Sequence, residues 1–159
     1  MAKDKTPKVE ETNEAGEGKQ INVVAQYIKD LSFESPNAPA SLQPNAERPN
    51  IGVSVDIGAA PLGTDSYEVE LKIGVTAKRK DETLFLTEVK YGGVFILKNI
   101  PANELQPALL IFAPNMLFPY VRRIISDLTR DGGFPTLMLD PIDFGSLYIQ
   151  RMQQGAQAQ

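Results

Sequence analysis

Apolar and polar side chains alternate along four stretches of the chain. From Ile21 to Phe33 the odd positions Ile21, Val23, Ala25, Tyr27, Leu31 and Phe33 oppose Asn22, Gln26, Asp30 and Ser32 at even ones, a period of two that predicts a strand with one buried face. Ile51, Val53, Val55 and Ile57 alternate with Gly52, Ser54 and Asp56, predicting a second strand that ends near Pro61. The third pattern is the cleanest, with Tyr67, Val69, Leu71, Ile73, Val75 and Ala77 against Glu68, Glu70, Lys72, Thr76 and Lys78. The turn Arg79-Lys80-Asp81-Glu82 then leads into TLFLTEVKYGGVFIL, so a hairpin is the natural connection to a fourth strand. Gly92-Gly93 inside that strand marks a bulge or a close backbone approach. Between the first two strands, residues 35–50 carry prolines at 36, 39, 44 and 49, which remove ladder donors and predict a long crossover loop. Unstructured connections of that length are uncommon in compact domains, and are often functional where they occur.

After Pro101 the period changes. Leu105, Leu109, Leu110 and Phe112 predict a short helix interrupted by Pro107. From Asn115, a candidate cap, Leu117, Tyr120, Val121, Ile124, Ile125 and Leu128 recur at helical spacing until Asp131-Gly132-Gly133, with Pro119 tolerable near the first turn. Asp140 and Asp143 read as helix-start residues rather than metal ligands. A last helix is expected from Asp143, with Phe144, Leu147, Tyr148 and Met152 on one side, continuing for a turn from Gln150 and then fraying. Four strands followed by helices is an α+β pattern.

Length and composition narrow the function. With 159 residues, one domain can bury a core without a disulfide or metal staple. No Cys and no His are present, which excludes a thiol nucleophile, a Ser-His-Asp triad and a histidine general base. The 16 basic and 20 acidic residues give a formal charge of −4, which disfavours nonspecific nucleic-acid binding and points to a basic or amphipathic partner. Residues 1–19 hold nine charged side chains and little apolar surface, so a disordered tail is expected there, a folded domain over 20–154, and a flexible tail over 155–159. No signal peptide is apparent and no later stretch approaches the roughly 20 apolar residues that cross a bilayer, so a soluble, cytoplasmic protein is expected.

Candidate chemistry is sparse. Glu68, Glu70 and Glu88 could form a carboxylate pair for hydrolysis, but they lie on polar strand faces with Lys72 and Lys90 beside them, and catalytic carboxylates need a pocket that separates their pKa values. The glycine pairs lack the context of a phosphate loop. Two surfaces stand out instead. One is the even face shared by the first and fourth strands, where Asp30, Glu34, Leu86 and Glu88 combine acids with an exposed leucine, a docking patch for a basic, partly apolar segment or an ordinary polar face. The other is the odd face of the fourth strand, Phe85, Thr87, Val89 and Tyr91, with Phe134, Phe144 and Tyr148, which core packing also explains.

The segments YIKDLSFESPNAP (27–39), FLTEVKYGGVF (85–95), APNMLFPYVRRII (113–125) and FPTLMLDPIDF (134–144) resemble, in order and spacing from about Gln20 to Gln154, the SecB family of bacterial protein-export chaperones. The resemblance implies a four-stranded antiparallel sheet with helices packed on one side, assembled as a homotetramer, a dimer of dimers. It implies a chaperone without catalytic activity, ATP or cofactor, which holds unfolded precursor polypeptides and passes them to the SecA translocation motor. Asp30, Glu34, Leu86 and Glu88 match the family's SecA-docking surface, which receives the motor's basic, zinc-containing tail; the zinc belongs to that partner. Phe85, Thr87, Val89 and Tyr91 match a strand face associated with subunit contacts, Phe85 also lying at the peptide groove, and Tyr148 matches an aromatic groove position.

The 35–50 loop would wall that groove. It departs from the pattern in offering only Leu42 where relatives often place aromatics, and the carboxyl tail lacks the acids common elsewhere in the family. Two alternatives stand beside this reading: a SecB-like chaperone dedicated to another client such as a toxin–antitoxin pair, and an enzyme built on a carboxylate pair.

Overall fold

A computed structural model describes residues 18–157. Four strands, β1 (Gln20–Glu34), β2 (Asn50–Gly63), β3 (Ser66–Arg79) and β4 (Glu82–Lys98), form one antiparallel sheet in the order β1-β4-β3-β2. The crossover loop therefore carries the chain from one sheet edge to the other, and it contains a single 3-10 turn, Ala40–Leu42. A tight turn with Asp65 in the left-handed region joins β2 to β3, and one with Lys80 there joins β3 to β4. β2 runs two residues past Pro61. The expected amino-terminal tail lies almost wholly outside the described residues.

β3 follows its alternation throughout. Val69, Leu71, Ile73, Val75 and Ala77 are buried on the helix side, and β4 sets Phe85, Val89 and Phe95 on the same side. β1 does not follow its alternation. Register shifts between Val23 and Ala25 and between Ile28 and Asp30 put an extra residue into this edge strand twice, and each bulge reverses the side-chain phase. Gln26 and Ile28 thus pair with Gly93 and Tyr91 on the helix side, while Ala25 and Tyr27, expected to be buried there, pair with Val94 and Gly92 on the outer face. The second shift restores the phase, so Asp30 and Glu34 are outward as expected. Gly92-Gly93 is a close approach rather than a bulge: a Cβ on Gly92 would lie 2.5 Å from the Tyr27 ring, and one on Gly93 2.8 Å from Phe95 and 3.0 Å from Leu117.

The helices cover one face of the sheet. α1 (Ala102–Pro107), a π-helical stretch (Ala108–Phe112) and α2 (Ala113–Asp131) run on as one helical segment. Pro107 does not interrupt it. The wider π turn falls between Pro107 and Pro114, where missing amide donors and ring clashes would otherwise break an α-helix. Asn115 is consequently interior, and its Nδ2 donates to the Ile111 carbonyl at 3.0 Å instead of capping. This segment also corrects the membrane expectation, because Ala102–Asp131 has the length and mean hydropathy of a membrane-crossing helix. One apolar stripe of it packs on the sheet, with Leu117, Val121 and Ile125 fully buried, while Phe112, Met116 and Tyr120 stay exposed.

α3 (Phe144–Gln157) starts where Asp143 predicts: its Oδ1 accepts the Ser146 amide at 3.0 Å and its Oδ2 the Ser146 hydroxyl at 2.7 Å. Those bonds, the amide first, hold the Asp143 carboxyl below its ordinary range. Asp140 makes no such cap. The helix runs to Gln157, a few residues beyond the turn expected past Gln150, and Arg151 ties it to β2 through the Ile57 carbonyl at 3.1 Å and the Asp56 carboxylate at 2.6 Å.

Candidate functional site

Two surfaces emerge on opposite sides of the sheet. The outer face collects Asp30, Glu34, Leu86 and Glu88, because Asp30 pairs in register with Lys90, Ser32 with Glu88 and Glu34 with Leu86. Asp30 and Glu34 are exposed, whereas Leu86 is half-buried rather than exposed. Glu88 lies 3.5 Å from the Lys72 ammonium. Glu34, Leu86 and Glu88 border a shallow depression of about 490 Å³ with Ser32, Ser54 and Thr76.

Further along the same face, Lys29 bridges Glu68 and Glu70, and the Tyr27 hydroxyl donates to Glu68. Lys29 is the residue that the second bulge displaces, and the bare backbone of Gly92 leaves room for Tyr27 beside it. The bond from Lys29, then that from Tyr27, pulls the Glu68 carboxyl below its ordinary range. The Lys29 ammonium is raised in turn, by its bonds to Glu68 and then Glu70. Burial, followed by the bond to Glu68, pushes the Tyr27 phenol up to about 12. A general acid at neutral pH needs a raised carboxyl. Glu68 is shifted the opposite way, which weakens the reading of this face as a catalytic carboxylate pair.

The second surface is a groove of about 510 Å³ between the crossover loop and the segment after α2. Leu42, Pro44 and Pro49 stand on one side, Phe134 and Leu137 on the other, with Leu84 and Phe85 between them. The far wall is anchored to α2: the Phe134 amide donates to the Thr129 carbonyl at 3.0 Å, the Leu137 amide to Thr129 Oγ1 at 3.0 Å, and the Ser126 hydroxyl to the Leu137 carbonyl at 2.8 Å. Gly133, with φ of 87°, turns the chain there, and a Cβ at this position would lie 3.2 Å from the Leu42 side chain. Phe33, Phe85 and Phe134 form an aromatic cluster with centroids 5.0–6.5 Å apart.

Of the residues expected at a client groove or subunit contact, only Phe85 and Leu42 line this groove. Val89 is fully buried in the chain's own core and offers no surface. Thr87 is 3% exposed and donates to the Ser32 carbonyl at 2.7 Å, so it fastens β1 instead. Tyr91 stacks on Tyr120 at 5.9 Å near the β1 edge. Tyr148 borders a separate apolar pocket with Ile57, Leu110, Leu147 and Met152. Sequence reading missed Arg79, assigned to the turn although β3 runs through it, and Ser41; both line the groove. Carrying the odd-position alternation of β3 one step beyond Ala77 would have found Arg79.

The fold thus presents a sheet backed by helices, with an apolar groove along one flank and a charged open face on the other. The profile of the family described as "Preprotein translocase subunit SecB" matches residues 14–155. The chain is 52% identical over 143 residues to the protein-export protein SecB of Parvibaculum lavamentivorans, covering 90% of this chain and 85% of that one. It is 53% identical over 135 residues to the SecB of Zymomonas mobilis, covering 85% and 82%. Among solved structures, the SecB-like chaperone of Mycobacterium tuberculosis, in complex with a ChAD peptide from an antitoxin, superposes with a TM-score of 0.60 at 15% identity, over 77% of this chain and 90% of that one. That likeness speaks for the fold alone.

The chain belongs to the SecB family. Its function is that of a SecB protein-export chaperone, a family not known for enzymes.

Proposed function

We propose that the protein works in the cytoplasm as an ATP-independent homotetramer that keeps precursors unfolded and delivers them to SecA. The observation that carries the delivery step is the outer face: Asp30, Glu34 and Glu88 surround Leu86 on one open sheet surface. This is a fit for a basic segment with an apolar anchor. The client would occupy the groove between the crossover loop and Phe134–Leu137. Unfolded chains offer apolar side chains that folded ones hide, and several weak contacts on one tetramer add up because each later one is intramolecular.

Assembly is supported by apolar side chains left uncovered in the single chain. Val24, Ile28, Met116 and Tyr120 are 37–59% exposed along the β1 edge and the adjoining face of α2, and Ile149 and Met152 are similarly exposed on α3. An unpaired edge strand next to an apolar helix face suits pairing with a second copy. Light scattering on a size column, after dilution of a slow-folding precursor from denaturant, should give one peak with the mass of a tetramer plus client, absent when the client is folded beforehand. Asp30→Ala with Glu88→Ala should abolish SecA binding while client holding persists; unchanged SecA binding would sink the docking assignment.

A further inference from the structure

The groove holds two hydrogen-bond donors that find no acceptor among the described residues. Ser41 is 3% exposed and its Oγ is enclosed without a partner; the Arg79 Nε is enclosed in the same way. Both residues line the same groove, beside Phe85 and Phe134. Buried polar groups are almost always paired, and those that are not mark places where something else supplies the partner.

We propose that Arg79 and Ser41 bind backbone carbonyls of an extended client segment whose apolar side chain rests on Phe85 and Phe134. The proposal rests on the reading of this groove as the client site, and adds what it recognises besides apolar side chains. The loop is built to yield. Its start is fixed to β4 by Asn37 Nδ2 to the Thr83 carbonyl at 2.9 Å and by the Ser35 hydroxyl to the Leu84 carbonyl at 3.4 Å. From Ala40 to Pro49, however, the side-chain tie to the sheet among the described residues is the Glu47–Lys80 pair at 3.4 Å. Entry of a client chain to the enclosed donors would require an outward movement of part of this stretch.

The acceptor follows from the surroundings. Arg48 and Arg79 border the groove, while the acid beside them, Glu47, is engaged by Lys80, so the wall favours oxygen acceptors. A backbone carbonyl recurs at every residue of every client, whereas an acidic side chain does not. Main-chain bonds combined with pockets for alternate side chains are the established way to bind extended peptides of varied sequence.

The test uses the full-length protein and two fluorescein-labelled, unstructured peptides rich in Phe and Leu, one with Asn and the other with Asp at the same positions. Arg79→Met keeps the length of the side chain and removes its donors; Ser41→Ala removes one oxygen and carries the test if the first variant fails to fold. Each should weaken binding of both peptides about fivefold, the worth of one net hydrogen bond. The thermal midpoint should hold or rise, because an unpaired buried donor has been deleted. Affinity equal to the parent's for both variants overturns the proposal, as does a loss confined to the Asp peptide and abolished by salt. A parent that binds neither peptide would instead bring down the groove reading itself.

Discussion

The outer face of the sheet divides into two halves built from the same kinds of residue and put to opposite uses. Around Gly92, Lys29 and Tyr27 close over Glu68 and Glu70, and the acids are consumed in contacts within the chain. Around Leu86, Asp30 and Glu34 make no salt bridge among the described residues, and Glu88 has only the longer pair with Lys72. The difference lies in backbone geometry rather than composition. A glycine opposite a bulged edge strand lets side chains fold inward across the sheet, whereas a leucine opposite a regular stretch keeps its acidic neighbours upright in water. One half holds β1 in place and the other displays charge.

The sharpest way to break this division is Gly92→Ala. The added methyl would stand 2.5 Å from the Tyr27 ring, so the tyrosine must swing out and give up Glu68. The clashing atoms are the far end of a half-exposed ring, so the cost lies toward the low end for overpacking, about 1.5 kcal/mol, to be read from urea unfolding. Adding Tyr27→Ala to the Gly92→Ala chain should recover part of that loss, a coupling that independent sites would not show.

This half of the face was also the least legible from sequence. β3 could be read residue by residue because a central strand with one buried face ties each side chain to its parity. β1 is an edge, where an extra residue costs little, and its two bulges cancel one another. The alternation therefore looked unbroken at both ends while the middle was reversed, and Tyr27 was expected on the wrong side. The glycine pair in β4 was the available clue, since a bare position asks what fills it. In the helical region, Pro107 reads as an interruption because sequence cannot reveal that the π turn directly after it absorbs it. The acidic patch was legible because parity is correct again by Asp30. The groove was legible in its loop wall with Leu42 and in Phe85 and Phe134, but not at Arg79 or Leu137, because the far wall is set by tertiary bonds from Thr129 and Ser126.

Glu68→Gln should have the next largest effect, about 1 kcal/mol, reduced from that of a buried charged bond by the solvent around Lys29. Its pH dependence has a definite sign. The Glu68 carboxyl is held below its ordinary value of 4.5 in the folded chain. The carboxylate's contribution is therefore complete above that value and lost as pH falls through the folded one. Urea curves of the parent and Glu68→Gln should converge in acid and separate near neutrality; a constant gap would place the effect elsewhere.

At the alkaline end the same cluster is read through Tyr27, whose phenol titrates near 12 instead of 10.0. A raised pKa on an acid that is neutral when protonated means that its stabilisation is complete below 10 and lost as pH climbs toward 12. Subtracting the tyrosinate absorbance of Tyr27→Phe from that of the parent isolates this group. Its midpoint should be near 12 in the parent and move back toward 10 in Glu68→Gln. An unshifted midpoint in the variant would mean that the carboxylate bond contributes little to the displacement.

The smallest effect on stability belongs to the other half. Asp30→Asn and Glu34→Gln remove charges that make no salt bridge or side-chain hydrogen bond among the described residues, so unfolding should shift by less than about 0.5 kcal/mol. On the docking reading, the same pair should flatten the salt dependence of SecA association, because exposed charges act over about 8–10 Å at physiological ionic strength and are screened beyond it. Lys29→Ala provides the contrast: it loosens the tied half and exposes Glu68 and Glu70, so it should lower stability while steepening that salt dependence. If Asp30→Asn with Glu34→Gln destabilised the fold as much as Lys29→Ala does, both halves would be structural, and the distinction drawn from Gly92 and Leu86 would fail.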